Sequence, residues 1–327
     1  MHVPVLLRET LEALDPRPGR SYIDGTLGGG GHAEAILRAS APDGRLLGLD
    51  RDPAAIERCR ERLAPFGARF EAVHAEFASI ADVARERGFD PADGILLDLG
   101  VSSFQLDEPA RGFSFREDGP LDMRMDPTRG ETAAELLAGY GDDWRSLAAL
   151  LRELGEEPQA GRVARAILAE QAKAPIETTA RLAETVERAV GGRRGAARHP
   201  ATRTFQALRI AVNGELDQVA AALEAALPLL AEGGRMAVIT FHSLEDRAVK
   251  RAFAEHEGRE VSLPQGGSRR EGAEPPVRRL SRRPVVPSEA ECAANPRALR
   301  QAPRRRTRRA PLNPFPPSTF QPSPSGP

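Results

Sequence analysis

Between Ser21 and His32 the chain reads Ser-Tyr-Ile-Asp-Gly-Thr-Leu-Gly-Gly-Gly-Gly-His, and this stretch constrains the fold more than any other. Tyr22-Ile23 predicts the end of a buried strand, Asp24 an acid at its carboxyl end, and Ala33 to Ala39 the first turns of an Ala/Leu/Ile-rich helix. A glycine turn at such a junction tolerates positive φ and lets a ligand approach the backbone, while the helix N-terminus supplies free N–H groups. Gly28, Gly30 and Ala33 fit the loose dinucleotide pattern G-x-G-x-x-G/A, which a tight structural turn satisfies equally well. A second element separates the two readings. Arg45 to Asp50 is another apolar strand ending in an acid, about twenty residues past the glycines, the spacing at which a carboxylate meets a ribose. The ligand is therefore expected to be nucleotide-like. No Gly-Lys-Ser/Thr follows the glycines, which excludes a P-loop and leaves a nicotinamide dinucleotide or S-adenosylmethionine.

The alternation continues downstream. Pro53 starts a helix with an Ile56, Cys59, Leu63 stripe, Phe70 to His74 is a third strand, and a helix follows near Ile80 to Arg87. Asp93 to Gly100 is a fourth strand, again with an acid, Asp98, beside glycine. Strands alternating with helices imply a parallel sheet with right-handed crossovers, whose ligands bind at the carboxyl ends of the strands. Asp24, Asp50 and Asp98 should converge on one edge.

From Arg111 to Gly130 no clean period is present, and the segment reads as an ordered loop rich in charge, Phe, Met, Gly and Pro. Four helical patterns follow without an intervening strand: Thr132 to Ala138, Asp143 to Leu154, Gln159 to Gln171 and Thr179 to Val190. They suggest an inserted helical domain facing the substrate. The expected domains are 1–110 (core, first part), 111–200 (loop and helical insert), 201–258 (core, second part) and 259–327 (basic Pro/Arg-rich tail). The core resumes at Thr202, Gly233-Gly234 ends an amphipathic helix, Arg235 to Phe241 is a fifth strand, and Ser243 caps a helix reaching about Glu255. After Gly258 little fixed structure is expected beyond an edge hairpin at Val277 to Val286.

Charge is distributed unevenly. The net charge of the 327 residues is -1, but Arg259 to Arg309 holds 14 Arg against 5 Glu, so residues 1–258 carry 32 basic and 42 acidic side chains. An acidic body needs a local positive path if it is to hold nucleic acid. Two distant cysteines, Cys59 and Cys292, make neither a disulfide framework nor a metal cluster and suit a reducing cytosol. Glu224 and Pro228 interrupt the most apolar helix and the amino terminus lacks a leader pattern, so a soluble, cytoplasmic protein without a membrane span is expected.

Taken together, Tyr22 to His32, Leu49 to Pro53, Gly94 to Gln105, Arg111 to Gly130, Lys173 to Ala183, His199 to Glu215 and Phe241 to Arg247 closely resemble one bacterial family. It is the 16S ribosomal RNA cytosine-N4 methyltransferase that acts at the decoding site of the small subunit. The most specific segments are Gly-Pro-Leu-Asp-Met-Arg-Met-Asp (119–126), Pro-Ile-Glu-Thr-Thr (175–179) and Phe-His-Ser-Leu-Glu-Asp-Arg (241–247). The resemblance implies a Rossmann-like class I S-adenosylmethionine-dependent α/β fold with an inserted all-helical domain, and it selects S-adenosylmethionine over the dinucleotide. It also implies that Gly30, Gly31 and His32 contact the cofactor, Asp50 its ribose and Phe77 its adenine side, while Asp98 and Gln105 line the pocket near the sulfonium.

Methyl transfer to an exocyclic amine depends on positioning, and Asp98 is the acceptor expected to align that amine. The Asp/Asn/Ser-Pro-Pro-aromatic motif of other amino-methyltransferases is absent: the chain has Asp98-Leu99-Gly100-Val101, and Phe104 stands where the family has proline. Arg124, Lys173, Arg198, His199, Arg203 and Arg209 are the candidate RNA contacts. A nicotinamide-dependent dehydrogenase and a non-catalytic RNA-binding ribosome assembly factor are the competing readings. In the tail the resemblance stops after Ala298. The family continues Arg-Ser-Ala-Lys-Leu-Arg, whereas this chain has Leu299-Arg300-Gln301-Ala302-Pro303, and in GC-rich codons the two are related by a shift of reading frame. On that reading the Arg304 to Arg309 cluster is an out-of-frame product, disordered and dispensable rather than an RNA-binding arm.

Overall fold

A computed structural model describes residues 4–193, 198–257, 259–262, 268–271, 277–281, 284–295 and 318–322. The chain divides into two compact units, one made of Met1–Gly100 and Leu216–Pro327, the other of Val101–Glu215.

The first unit is the doubly wound core. After helix α1 (Leu7–Leu14) come β1 (Ser21–Asp24), α2 (Gly31–Ala39), β2 (Arg45–Asp50), α3 (Pro53–Leu63), β3 (Phe70–His74), α4 (Ile80–Glu86) and β4 (Ala92–Asp98). These strands pair in parallel in the order β3-β2-β1-β4, so the direction of winding reverses between β1 and β4. The strand residues are apolar on both sides because both faces are covered. Ile23, Leu47, Ile95 and Leu97 join one core with α4, while Tyr22, Leu46 and Leu96 join another with α1, α2 and α3. This topology is the Rossmann-like arrangement expected from the strand–helix alternation.

The second unit begins with α5 (Ser103–Asp107) and the irregular segment 111–130, then runs α6 (Ala133–Gly139), α7 (Trp144–Gly155), α8 (Ala160–Gln171), α9 (Thr179–Val190) and α10 (Thr202–Asn213). Side-chain caps at Ser102, Thr132, Asp143 and Thr178 start α5, α6, α7 and α9, each accepting a backbone N–H that the helix itself cannot satisfy. Segment 111–130 is ordered, as its composition suggested. Phe113, Leu121, Met123 and Met125 are buried with the helices, and Leu121 N–H donates to Glu177 O at 2.8 Å.

The expected boundaries at 110/111 and 200/201 move to 100/101 and 215/216. The physical reason lies in α10, which was expected to return the chain to the core. Its Phe205, Ala207 and Leu208 belong to the apolar core of the helical unit. Its last residue, buried Asn213, accepts from Met125 N–H at 2.8 Å and donates through Nδ2 to Met123 O and Arg209 O, each at 2.8 Å. Gly155 ends α7 against α10 so closely that a Cβ there would fall 2.5 Å from Arg203 O.

Back in the first unit, α11 (Glu215–Ala226) leads into β5 (Leu230–Ile239), which pairs in parallel with β4. The strand begins five residues before the expected Arg235. Gly233, at φ 75, lies within a register irregularity opposite Ala92 and Gly94, so Gly233-Gly234 bulges the strand and does not end the helix. Next comes α12 (Ser243–His256), whose N-cap is His242 and not Ser243.

The chain past Gly258 holds more structure than its composition suggested. A hairpin pairs β6 (Arg259–Ser262) with β7 (Ser268–Glu271), and then come β8 (Val277–Arg279) and α13 (Glu289–Ala294). Finally β9 (Ser318–Pro322) pairs antiparallel between β5 and β8. The expected Val277 to Val286 hairpin is therefore only its first strand, partnered from elsewhere. The Leu299 to Pro303 segment and the Arg304 to Arg309 cluster lie outside the described residues. Among the described residues no helix is long and apolar enough to cross a membrane.

Replacing Asn213 by Ala should strand two buried hydrogen-bond partners, Met125 N–H and Met123 O, and lower the unfolding free energy by about 2–4 kcal/mol. Urea denaturation checks this, and a loss below about 1 kcal/mol would mean water replaces the amide.

Candidate active site

In the first unit Asp24, Asp50 and Asp98 close β1, β2 and β4, the convergence on one sheet edge that the spacing predicted. The carboxylates of Asp24 and Asp50 meet backbone or hydroxyl donors. Asp24, 1% exposed, accepts from Thr26 N–H at 3.0 Å and from the Thr26 hydroxyl at 3.4 Å. Asp50 accepts from Gly28 N–H through Oδ2 and from Asp52 N–H through Oδ1, both at 2.8 Å. Asp98 has its own N–H on Thr26 Oγ1 at 2.6 Å, so one threonine ties the end of β1 to the end of β4. Asp98 Oδ2 lies 3.6 Å from Nε2 of buried His32, and its Oδ1 is buried with no hydrogen-bond partner among the described residues.

Burial sets the protonation of this edge. It pushes Asp24 up to about 7 against its Thr26 bonds, with Asp50 adding to the rise. It pushes Asp50 up to about 6, while the Asp52 and Gly28 amides pull the other way. Asp98 is raised well above the usual carboxylate range by burial first, then by the nearby negative charges of Asp24 and Glu245.

The glycine turn is shaped by these acids. Gly28 has φ 52 and Gly30 φ 74, and Gly30 is the N-cap of α2. Gly30 N–H is committed to Leu27 O at 2.7 Å, so of the two glycines expected to offer amides, Gly31 is the one at the open first turn of α2. Gly25 is packed so tightly that a Cβ would meet Leu97 Cδ2 at 2.5 Å and Phe77 Cβ at 3.5 Å, which places Phe77 beside the turn. Next to it, Glu76 is held by Gln218 Nε2 at 2.6 Å and by Arg51 at 3.5 Å.

Two residues of this site went unread in the sequence. Thr26 was visible as the hydroxyl two positions after an Asp, a spacing that favours a local Asx-type turn. Glu245 is fully buried, accepts from Phe241 N–H at 2.7 Å and forms a capping box with His242. His242 followed by Glu three positions later carried that signal in an unusual residue type.

The remaining expected residues belong to the helical unit. Gln105 is buried, and its side-chain oxygen accepts Ser102 N–H at 2.9 Å in the α5 capping box. Of the candidate RNA contacts, Arg209 grips Glu215 with two bonds of 2.8 Å and Arg124 grips Asp122 with two of 2.8 Å, so both guanidinium groups serve the unit's interior. His199 is half-buried, packs against Phe115 with ring centroids 4.6 Å apart and the rings tilted by 44°, and reaches Glu187 at 3.0 Å. Lys173 is 72% exposed in a pair with Glu170, Arg198 is exposed, and Arg203 is half-buried on α10.

Asp24 keeps a proton in the folded state that it gives up when unfolded, where its pKa is about 4. Its contribution to stability is therefore complete below about pH 4 and is lost as pH rises through about 7. Asp24→Asn should raise the melting midpoint of the ligand-free protein at pH 8 and leave it unchanged at pH 4. Equal midpoints at pH 8 would contradict the desolvation of this carboxylate.

The sequence profile of the MraW methylase family matches residues 1–308. Ribosomal RNA small subunit methyltransferase H of Symbiobacterium thermophilum is 51% identical over 298 residues, covering 91% of this chain and 93% of that protein. The protein of the same name from Thermomicrobium roseum is 50% identical over 297 residues, covering 91% and 90%. Among solved structures, an rRNA methylase from Streptococcus thermophilus aligns over 97% of this chain and 93% of its own, with 10% identity and a TM-score of 0.39.

Proposed function

The chain belongs to the MraW methylase family, and from that premise we propose that it methylates small-subunit ribosomal RNA with S-adenosylmethionine as the donor. The target is the exocyclic N4 of a decoding-site cytosine in 16S rRNA. The observation that carries this reading is Asp98: an acid at the switch point of a doubly wound sheet, with a buried oxygen that no described residue satisfies. Such an atom is poorly explained by packing and well explained by a ligand donor.

The residues present fit the cofactor. Asp50 spends one lone pair of each oxygen on the turn and retains others for ribose hydroxyls. Gly31 offers a first-turn amide to a carboxylate, and Phe77 beside Gly25 gives an apolar wall for adenine. His32 completes the proposed cofactor set within the first unit. When bound, the sulfonium supplies an electrophilic methyl group with a good leaving group behind it. The task of the protein is then to hold the amine. Asp98 would accept from the N4 amine and fix its direction, with its carboxyl raised above the usual range by burial and by the charges of Asp24 and Glu245. The target base leaves its stack to reach a buried donor, and Lys173, Arg198, His199 and Arg203 are the residues we assign to the RNA, while Arg124 and Arg209 hold Asp122 and Glu215.

Two measurements test the reading. S-adenosylhomocysteine should raise the melting midpoint where NAD does not; stabilisation by NAD alone would favour a dehydrogenase, and stabilisation by neither, with no methyl transfer to small subunits, an assembly factor. Mass spectrometry of nucleosides from small subunits incubated with the protein should find N4-methylated cytidine, and a methyl group on another atom would refute the target. Asp98→Asn should keep the fold and lose most transfer. Asp50→Ala should weaken S-adenosylhomocysteine binding by roughly tenfold or more, since a charge-assisted bond contributes on the order of 1.5–3 kcal/mol; unchanged affinity by calorimetry would remove Asp50 from the ribose.

A further inference from the structure

Leu6, immediately before α1, is fully buried, yet its backbone sits at φ 56, ψ 34. For a residue with a branched side chain this left-handed region is unfavourable and persists only where the surroundings enforce it. Here the enforcing group comes from the far end of the chain. Leu6 N–H donates to Glu291 Oε1 of α13 at 2.6 Å, and Val5, Leu6 and Cys292 form an apolar cluster of their own. Glu291 is fixed in turn, its N–H donating to the N-cap Ser288 Oγ at 3.1 Å. Two residues before Leu6, the Pro4 ring lies on the cofactor turn: a Cβ built on Gly31 would fall 2.4 Å from Pro4 Cγ. The ring fills the space that a side chain would take at the first residue of α2.

We propose that α13 and the amino-terminal arm form a clasp on the cofactor turn. Glu291 holds Leu6, Leu6 fixes the direction of Pro4, and Pro4 holds Gly31, making these three the positioning residues for S-adenosylmethionine. The proposal rests on the cofactor assignment made above. An amide donor binds best when it is already aimed, because less ordering remains to be done when the ligand arrives. The left-handed residue makes the device sensitive: once Glu291 releases the Leu6 N–H, Leu6 relaxes to an ordinary backbone region, and a change at that one φ swings Pro4 off Gly31. A staple serving only to anchor the chain ends would not need its arm laid against the turn.

The test uses Glu291→Ala and Glu291→Gln in the full-length protein. Glu291→Ala should raise the Kd for S-adenosylhomocysteine and the KM for S-adenosylmethionine roughly tenfold, the order expected for losing a bond to a charged acceptor. The loss should fall on cofactor KM rather than on kcat, and amide hydrogen exchange at residues 30–32 should speed up in the ligand-free protein. Glu291→Gln keeps the acceptor oxygen and should stay within about threefold of wild type, the range of a neutral in place of a charged bond. If Glu291→Ala does not fold, Pro4→Ala removes the ring from Gly31 without touching α13 and should give the same rise in Kd. A lowered melting midpoint with unchanged Kd and unchanged exchange at residues 30–32 would overturn the clasp and leave a terminal staple. Failure of the wild type to bind S-adenosylhomocysteine would instead sink the cofactor assignment, and the exchange measurement would still report on the clasp.

Discussion

The packing of Asp24, Asp50 and Asp98 along one sheet edge, the first buried and the other two half-buried, is the constraint from which the rest of the core follows. A carboxylate out of water must be met by donors, and here the chain's own backbone supplies many of them. Gly28 reaches Asp50 with its N–H from a left-handed conformation, Thr26 folds back on Asp24, and the same hydroxyl holds the N–H of Asp98. The turn is thus a solvation shell for the acids before it is a cradle for a ligand. Its glycines follow from that, since a side chain at Gly25 would strike Leu97.

Much of this was legible because it is local. Strand–helix alternation, the acids at strand ends and the four helical patterns between Thr132 and Val190 are all written within windows of a few residues, where periodicity acts. What was not legible depends on distant partners. The affiliation of α10 turns on Phe205 meeting the helical core and on Asn213 meeting Met123 and Met125 about ninety residues earlier. The internal roles of Arg124 and Arg209 depend on which carboxylate lies within reach, and a sequence shows an arginine without showing its partner. After Gly258, β8 and β9 pair with segments far from them in sequence, so low apolar content there was a poor guide to order.

The two units solve different problems. In the first, a parallel sheet covered on both faces gathers Asp24, Asp50 and Asp98 at its carboxyl edge, where chemistry collects. In the second, short helices with side-chain caps pack around an irregular segment whose backbone is satisfied by side chains: Asn213 serves Met123 and Met125, and Arg111 donates to the carbonyls of Arg124 and Met125 at 3.1 and 2.8 Å. A stretch without regular hydrogen bonding can be buried only on such terms. The Phe, Met and Leu side chains that made the segment look aperiodic are what fasten it to the helices.

Asn213 is followed by Gly214, and Asn-Gly is the pair at which a flexible chain most readily loses side-chain ammonia, the glycine nitrogen attacking the amide carbon to close a succinimide ring. Here the attack is held off at both ends. The side chain is tied by three bonds, and Gly214 N–H is engaged with Ala211 O at 3.3 Å. Chemical ageing at this position is therefore gated by opening of the loop. Once the succinimide hydrolyses, a carboxylate faces the Met123 and Arg209 carbonyls that the amide used to serve, and the loop cannot close as before. The slow accumulation of that product would record how often the helical unit has opened during the life of the molecule.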